Sequence, residues 1–395
     1  MNTRRKVAII LQLWQNYDRC ILEGIASWCR ENHNWLVFVE EIAQSRLPDL
    51  QARGFDGLIV NFDIPEIGAA LQGLKIPIVG LGGAAGDYQP ESQIPYVATD
   101  NIGIGRLAAE HLLERGLRHF AFCGYPRSRT NPWVQERAEG FAARLAEEGF
   151  ECPVFKGSFL RVEQWEGTQR ELVDWLQPLP RPLGIMACYD ARARQVLEAC
   201  RSLDLKIPDE VAIIGVDNDV ICDLADPPLT SVEQGCRQIG RQAAATLEDL
   251  MAGKPSEILF SRMPPLGVVK RQSTDLIYVE DEIVAEALRL IRQRACSGLQ
   301  VGDLLDRLKL SRSTLDKRFR SCIGRSADEE IRRVRFETAK DLLCRTDLKL
   351  QDIARKTGYS HQQYLSAVFN KELKMPPAQY RREQRDGSRD RQAGV

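Results

Sequence analysis

The chain has 395 residues, 44% of them hydrophobic, 28% charged and 7% aromatic, which is too long for one ordinary core and too apolar for disorder. Its formal charge of −1 conceals a division: residues 281–395 carry 25 Lys and Arg against 17 Asp and Glu, or +8, which leaves 29 against 38, or −9, for the remainder. No stretch approaches eighteen uncharged apolar residues, so a spanning helix is excluded, and the start, MNTRRKVAIILQLW, has too short an apolar run for a signal peptide. From that start to about residue 275, short apolar runs bounded by Gly, Pro or Asp alternate with amphipathic stretches, the pattern of βα units around parallel sheets. The predicted strands are Val7 to Leu11, Leu36 to Val39, Gly57 to Val60, Ile76 to Gly80, His119 to Gly124, Gly184 to Ala187 and Val211 to Gly215. The predicted helices are Asp18 to Glu31, Asn101 to Glu114, Trp133 to Glu148, Ala191 to Leu203 and Gly235 to Met251.

The segment RQSTDLIYVEDE after Lys270 is polar and follows neither period. The expected division is therefore a domain over residues 1–275, a linker over 276–281, a second domain over 282–385 and a polar tail over 386–395. From Glu282 onward every apolar spacing is helical. Val301, Leu304, Leu305 and Leu308 make one stripe, and Ser311 is placed to cap a helix that carries Leu315 and Phe319 inward. The arrangement recurs with Ile353 and Ala354, the turn residue Gly358, Ser360 as cap, and Leu365, Val368 and Phe369 inward, so a helix-turn-helix occurs twice. Ile331, Val334, Thr338 and Leu342 mark one face of a connecting helix from about Asp328 to Arg345, roughly 27 Å long at 1.5 Å per residue. A connector of that length sets two recognition helices in successive major grooves of B-DNA, where the repeat is roughly 34 Å.

The stretch IARKTGYSHQQYLSAVFNKELKMPPAQYRR, residues 353–382, with the earlier copy LKLSRSTLDKRF, resembles the signature of the AraC/XylS family over about the last hundred residues. Lys309 and Lys374 depart from the family pattern, which has glycine there, and Leu365 stands where an aromatic is common. The faces opposite the inward residues put Ser313 and Lys317 of the first recognition helix, and His361, Gln362, Gln363 and Ser366 of the second, against base edges. Gln pairs bidentately with adenine and Lys with guanine, while Arg312, Arg320, Arg332 and Lys371 are placed to grip phosphates.

The N-terminal part, through YVATDNIGIGRLAAEHLLERGLRHFAFCG, QERAEGFAARL, ACYDARARQVLEAC and VAIIGVDNDVICDLADPPLTSVEQ, resembles the periplasmic-binding-protein-like core of LacI/GalR regulators, whose two Rossmann-like lobes close over a sugar. Ligands of open α/β sheets bind at the carboxyl ends of strands, where Asp18, Asp63, Tyr189, Asp190, Asp217 and Asn218 fall. Carboxylates and amides suit a polyhydroxylated ligand, because each pairs with several hydroxyls. The resemblance implies that Arg137, Asp217 and the Tyr189-Asp190 pair contact the effector, and Phe159 is expected as an apolar wall against a pyranose face.

The expected architecture is an α/β two-lobed periplasmic-binding-protein-like sensor domain followed by an all-α double helix-turn-helix domain. That order, with the start NYDRCILEGI and the run DARARQVLEAC, is similar to the family of bacterial xylose operon activators. The resemblance implies a sugar-responsive transcription regulator whose partners are double-stranded operator DNA, a monosaccharide effector with D-xylose as first candidate, a second copy of the chain in a homodimer, and RNA polymerase if the regulator activates. Another pentose or a deoxy sugar is the alternative effector. Cytoplasmic location, no membrane contact and no cofactor are expected. Eleven cysteines without a CxxC pair indicate neither a zinc knuckle nor a disulfide framework, so no metal site is expected and the thiols are expected to be reduced. An enzyme fused to the same C-terminal module, such as an alkyl-accepting repair protein, is the competing class. No cysteine lies in a Pro-Cys-His-Arg-like context, there is no GxSxG or P-loop, and only four histidines are present, so no catalytic residue is expected.

Overall fold

The computed structural model describes residues 4–32, 34–41, 53–64, 67–82, 93–126, 131–157, 165–256, 259–279 and 281–383. The chain divides into two units between Leu276 and Ile277. In the first unit, β1 (Arg5–Leu11), α1 (Asn16–Asn32), β2 (Trp35–Glu41), β3 (Gly57–Asn61), α2 (Ile67–Leu71), β4 (Ile78–Gly82) and β5 (Tyr96–Thr99) form one lobe. The chain then enters a second lobe through α3 (Asn101–Leu113), β6 (His119–Cys123), α4 (Pro132–Ala146), β7 (Val154–Phe155), α5 (Trp165–Leu176), β8 (Leu183–Ala187), α6 (Asp190–Ser202), β9 (Val211–Val216), α7 (Ile221–Leu224) and β10 (Thr230–Glu233). It returns to the first lobe with α8 (Cys236–Met251) and β11 (Phe260–Met263), and ends in the second with β12 (Gly267–Val269). One six-stranded sheet has the order β11-β5-β4-β3-β1-β2, all parallel; the other has β12-β10-β9-β8-β6-β7, in which β12 alone runs antiparallel. Three crossings therefore join the lobes, at Asp100, at Gln234-Gly235 and at residues 264–266.

Central strands such as β1, β3, β8 and β9 are apolar on both faces because helices cover both sides of each parallel sheet. In each lobe one helix pair approaches unusually closely through glycines. A Cβ on Gly24 of α1 would lie 2.1 Å from the Arg237 carbonyl oxygen of α8, and one on Gly240 of α8 would lie 2.1 Å from that of Ile21. The second lobe repeats the device: a Cβ on Gly105 of α3 would meet the Arg137 carbonyl oxygen at 2.3 Å, and one on Gly140 of α4 would meet that of Ile102 at 2.2 Å.

The second unit contains α9 (Glu282–Arg294), α10 (Val301–Leu308), α11 (Arg312–Ile323), α12 (Ala327–Arg345), α13 (Leu350–Lys356) and α14 (Gln362–Leu373), with a further helical segment over 377–383. It has two cores. Val284, Leu288, Ile291, Leu304, Leu315 and Phe319 meet Ile331 and Val334 in the first, whereas Ile353, Ala354, Leu365 and Phe369 meet Phe336, Ala339 and Leu343 in the second. The connecting helix α12 thus does not bury the single stripe its spacing suggests. It serves a core on each side, so its buried set shifts after Val334, and Thr338 and Leu342 are only half-buried. Ile277 and Val279 pack into the first core, which anchors the beginning of this unit.

Lys309 and Lys374 close α10 and α14 in the left-handed conformation, at φ +53° and +56°. These are the positions where the family pattern has glycine, and the lysines adopt the left-handed conformation that glycine favours at a steric cost of about 1–2 kcal/mol each. Part of that is offset by the extra chain entropy glycine gives the unfolded state. Lys309→Gly and Lys374→Gly are accordingly expected to stabilise by up to about 1 kcal/mol each, read as a higher melting midpoint. A lower midpoint in both variants would contradict the strain.

Candidate ligand cleft and nucleic-acid interface

The first lobe gathers its expected ligand residues at the carboxyl ends of β1 and β3. Asp18, in the first turn of α1, is buried under the loop that follows Leu11: its Oδ2 accepts from the Gln12 amide at 2.5 Å, and the Asn61 side-chain amide donates to Oδ1 and Oδ2 at 2.9 and 3.0 Å. Asn61 Oδ1 in turn accepts from the Asp63 amide at 2.8 Å, so Asn61 joins both acids. Burial raises the Asp18 carboxyl to about 6 although these donors pull the other way. Beside it the Tyr17 hydroxyl lies 2.8 Å from Thr99 Oγ1 and donates to the Gly82 carbonyl at 3.2 Å.

In the second lobe Arg137 projects inward from α4. Its Nε donates to Asn101 Oδ1 at 3.0 Å, Nη1 to the Cys188 carbonyl at 2.6 Å and Nη2 to Gln234 Oε1 at 2.9 Å, while the guanidinium lies 4.6 Å from the Trp133 ring centroid. Gln234, at a lobe crossing, donates its amide to Asp217 Oδ1. Asp217 and Asn218 follow β9 at φ +112° and +51°, which turns the backbone sharply after the strand. Asp190, in the first turn of α6, accepts from Ser231 Oγ at 2.7 Å and from the Asp219 amide at 2.9 Å. It lies so close over β9 that a Cβ on Gly215 would stand 2.2 Å from its Oδ1, so only glycine fits. Burial drives the carboxyls of Asp190 and Asp217 upward, and Asp217 raises Asp190 further. The Tyr189 hydroxyl lies 3.0 Å from that of Tyr125, with Trp133 edge-on to the Tyr189 ring.

The expected ligand residues thus fall into two groups. Asp18 and Asp63 share Asn61, while Arg137 and Asp217 share Gln234, and Asp190 is tied to the Asn218 amide through Ser231. Arg19 and Asp219 approach to 3.9 Å between the lobes. Phe159 lies outside the described residues.

In the second unit Ser311 caps α11 by accepting from the Thr314 amide at 3.3 Å, and Arg312, Ser313, Lys317 and Arg320 are exposed on that helix. The second recognition helix begins one residue later than its sequence suggests. His361 rather than Ser360 occupies the cap position, without a side-chain cap bond. His361, Gln362 and Gln363 are exposed with Tyr364, whereas Ser366 is half-buried and donates to the Gln362 carbonyl at 3.0 Å. Arg332 pairs with Asp328 at 2.5 Å, and Lys371 is exposed.

Residues 6–102 match the XylR N-terminal domain, 109–274 a periplasmic binding protein-like domain and 304–383 a helix-turn-helix domain. The xylose operon regulatory protein of Escherichia coli (strain K12) is 36% identical over 383 residues, 96% of this chain and 97% of that protein. The chain belongs to the family of xylose operon regulatory proteins. A second member of this family, from Haemophilus influenzae, is 34% identical over 95% of this chain and 98% of its own length. A solved structure of the xylose-binding transcription activator XylR superposes over 96% of this chain and 98% of that one, with a TM-score of 0.74 at 35% identity. The family is one of transcription regulators rather than enzymes. Sequence reasoning passed over Asn61, Trp133 and Gln234 of this family member. Position gave a signal for Asn61, at a strand end two residues before Asp63, but none for Gln234, whose role depends on a crossing between lobes.

Proposed function

We propose that the chain is a cytoplasmic, D-xylose-responsive transcription factor that binds operator DNA sequence-specifically and activates sugar-catabolism genes as a homodimer in contact with RNA polymerase. The observation that carries this reading is a buried Arg137-Gln234-Asp217 node at a lobe crossing, on the same chain as two exposed polar recognition helices. Asp18, Asp63, Asp190, Asp217 and Asn218 accept sugar hydroxyls, Arg137 donates to sugar oxygens, and Tyr189 with Trp133 lines the ring; Phe159 remains the expected second wall. Ser313, Lys317, His361, Gln362, Gln363 and Ser366 read bases, and Arg312 and Arg320 hold phosphates. Pairing in a dimer supplies the affinity that one module on two grooves lacks.

A melting experiment across monosaccharides tests the sugar. At 100 times its Kd, D-xylose is expected to stabilise the fold by about 2.7 kcal/mol; no shift with any pentose or deoxy sugar would remove the reading, and a shift with another pentose alone would reassign the effector. The same titration has a predicted pH dependence. A hydroxyl donating to Asp18 favours its ionised form, and its pKa is already raised to about 6. The Asp18 share of binding therefore releases protons near pH 6, and that share of the affinity is full well above pH 6 and falls as pH drops through it, by up to about tenfold per unit, while the raised carboxyls of Asp217 and Asp190 act in the same direction. An affinity unchanged between pH 7.5 and about pH 5 would take Asp18 out of the ligand shell.

A further inference from the structure

The first unit ends in an exit segment, residues 271–276, whose first member ties it to the cleft. Arg271 is almost wholly enclosed, with 6% of its side chain exposed. Its Nη2 donates to Asn218 Oδ1 at 2.8 Å, Nε to Asp223 Oδ1 at 2.7 Å and Nη1 to the Leu229 carbonyl at 3.0 Å. All three acceptors belong to the single stretch that begins with the Asp217-Asn218 turn and ends at β10.

The backbone of the exit segment is held from the same side. The Arg271 amide donates to Thr230 Oγ1 at 2.9 Å, and that hydroxyl is 3.0 Å from the Arg271 carbonyl. Ser273 Oγ donates to the Ile213 carbonyl of β9 at 2.6 Å and accepts from the Thr230 amide at 2.8 Å. Thr274 Oγ1 lies 2.8 Å from both Thr230 Oγ1 and His111 Nε2. The next residue of β10, Ser231, binds the Asn218 amide at 2.9 Å and Asp190 Oδ1 at 2.7 Å. One short network thus contains the Asp190 carboxylate at one end and the last residues before the helix-turn-helix unit at the other.

Two features make Arg271 more than a strut. Consecutive non-glycine residues at positive φ are not held by their own backbone preference; the Asp217 amide on the Val232 carbonyl at 3.0 Å, the Asn218 amide on Ser231 Oγ and the Gln234 amide on Asp217 hold the 217–218 turn, and Arg271 engages its outer side chain, Asn218. A guanidinium in a fixed fork cannot follow one acceptor without moving relative to the others or carrying its own backbone along. A ligand that re-sets Asn218 must therefore alter the Arg271 contacts, and Arg271 is covalently five residues from Leu276, where the first unit ends.

We propose that Arg271 is the positioning residue that couples sugar occupancy of the Asp217-Asn218 turn to the exit segment, and through it to DNA affinity. This inference rests on the sugar-responsive DNA-binding function proposed above.

The test uses the full chain, D-xylose, and a duplex that the parent selects from a random-sequence pool, with the parent, Arg271→Ala and Arg271→Lys. Each protein is titrated with sugar alone, with DNA alone, and with each in the presence of the other. In the parent, sugar is expected to change DNA affinity by a factor in the range of about 5–150, and DNA to change sugar affinity by the same factor. Arg271→Ala is expected to retain sugar binding and DNA binding while the reciprocal factor falls to within about twofold of unity. Arg271→Lys keeps the charge opposite Asp223 but cannot serve all three acceptors, and is expected to give an intermediate factor. A merely structural residue would lower stability and leave the factor intact. Parental coupling in both variants overturns the relay, as does loss of sugar binding together with coupling in the Ala variant. If Arg271→Ala fails to fold, Arg271→Lys decides alone: full coupling overturns the proposal and reduced coupling with intact sugar binding supports it. A parent that binds no sugar is a different result, because it removes the function rather than the relay.

Discussion

Arg137→Ala is expected to abolish the D-xylose-induced rise in melting temperature and to destabilise the first unit by about 2–4 kcal/mol. The substitution takes the Arg137 donors away from Asn101 Oδ1, Gln234 Oε1 and the Cys188 carbonyl in a buried site, and losing a hydrogen bond to a charged donor there costs about 1–3 kcal/mol before relaxation. It also removes a cation from the Trp133 face, worth about 1 kcal/mol, and the positive charge that opposes the rise of the Asp217 pKa. Arg137→Lys keeps the charge but not the fork, so it is expected to recover part of the stability and little of the sugar response. Calorimetry with and without D-xylose separates the two effects. An alanine variant whose melting point still rises with sugar as the parent's does would place Arg137 outside the ligand site, whatever its effect on stability.

The sequence carried the elements whose signals are local. Buried parallel strands such as Ile9 and Ile10 in β1, or Ile213 and Ile214 in β9, are short apolar runs, and the rule that ligands gather at strand ends singled out Asp18, Asp63, Asp190 and Asp217, which the fold buries in hydrogen-bonded groups. The helix-turn-helix pair was legible because its turns and inward residues repeat at fixed spacing. Pairings between distant segments were not legible. The strand β11 takes its place only by lying beside β5, some 160 residues earlier, and its half-exposed FSRM has no period to announce it. Gln234 is invisible for the same reason, since its two partners, Arg137 and Asp217, come from α4 and the end of β9. The α12 stripe misled because a helix shared between two cores presents a different face to each, so its apolar residues add up to no single side.

Gly105→Ala is expected to cost about 3 kcal/mol or more and to weaken D-xylose binding at least about tenfold, although Gly105 touches no proposed ligand contact with a side chain. The added methyl would stand 2.3 Å from the Arg137 carbonyl oxygen and 2.6 Å from the Phe141 amide nitrogen. Both are backbone atoms of α4, so no rotamer change relieves the overlap and the helices α3 and α4 must separate. Separation moves the Arg137 backbone, and with it a guanidinium whose three acceptors lie on α3, after β8 and at a lobe crossing. Gly302→Ala is the matched control, because Gly302 sits within α10 with no atom near enough to meet a Cβ. There alanine removes glycine's helix penalty and is expected to stabilise by up to about 1 kcal/mol. Thermal melts of the full chain compare the two substitutions, and a sugar titration of Gly105→Ala below its melting point reads the effect on the cleft. A Gly105→Ala variant as stable as the parent would show that the helices can part without cost. One that is destabilised but binds D-xylose unchanged would show instead that Arg137 holds its place independently of the α3-α4 contact.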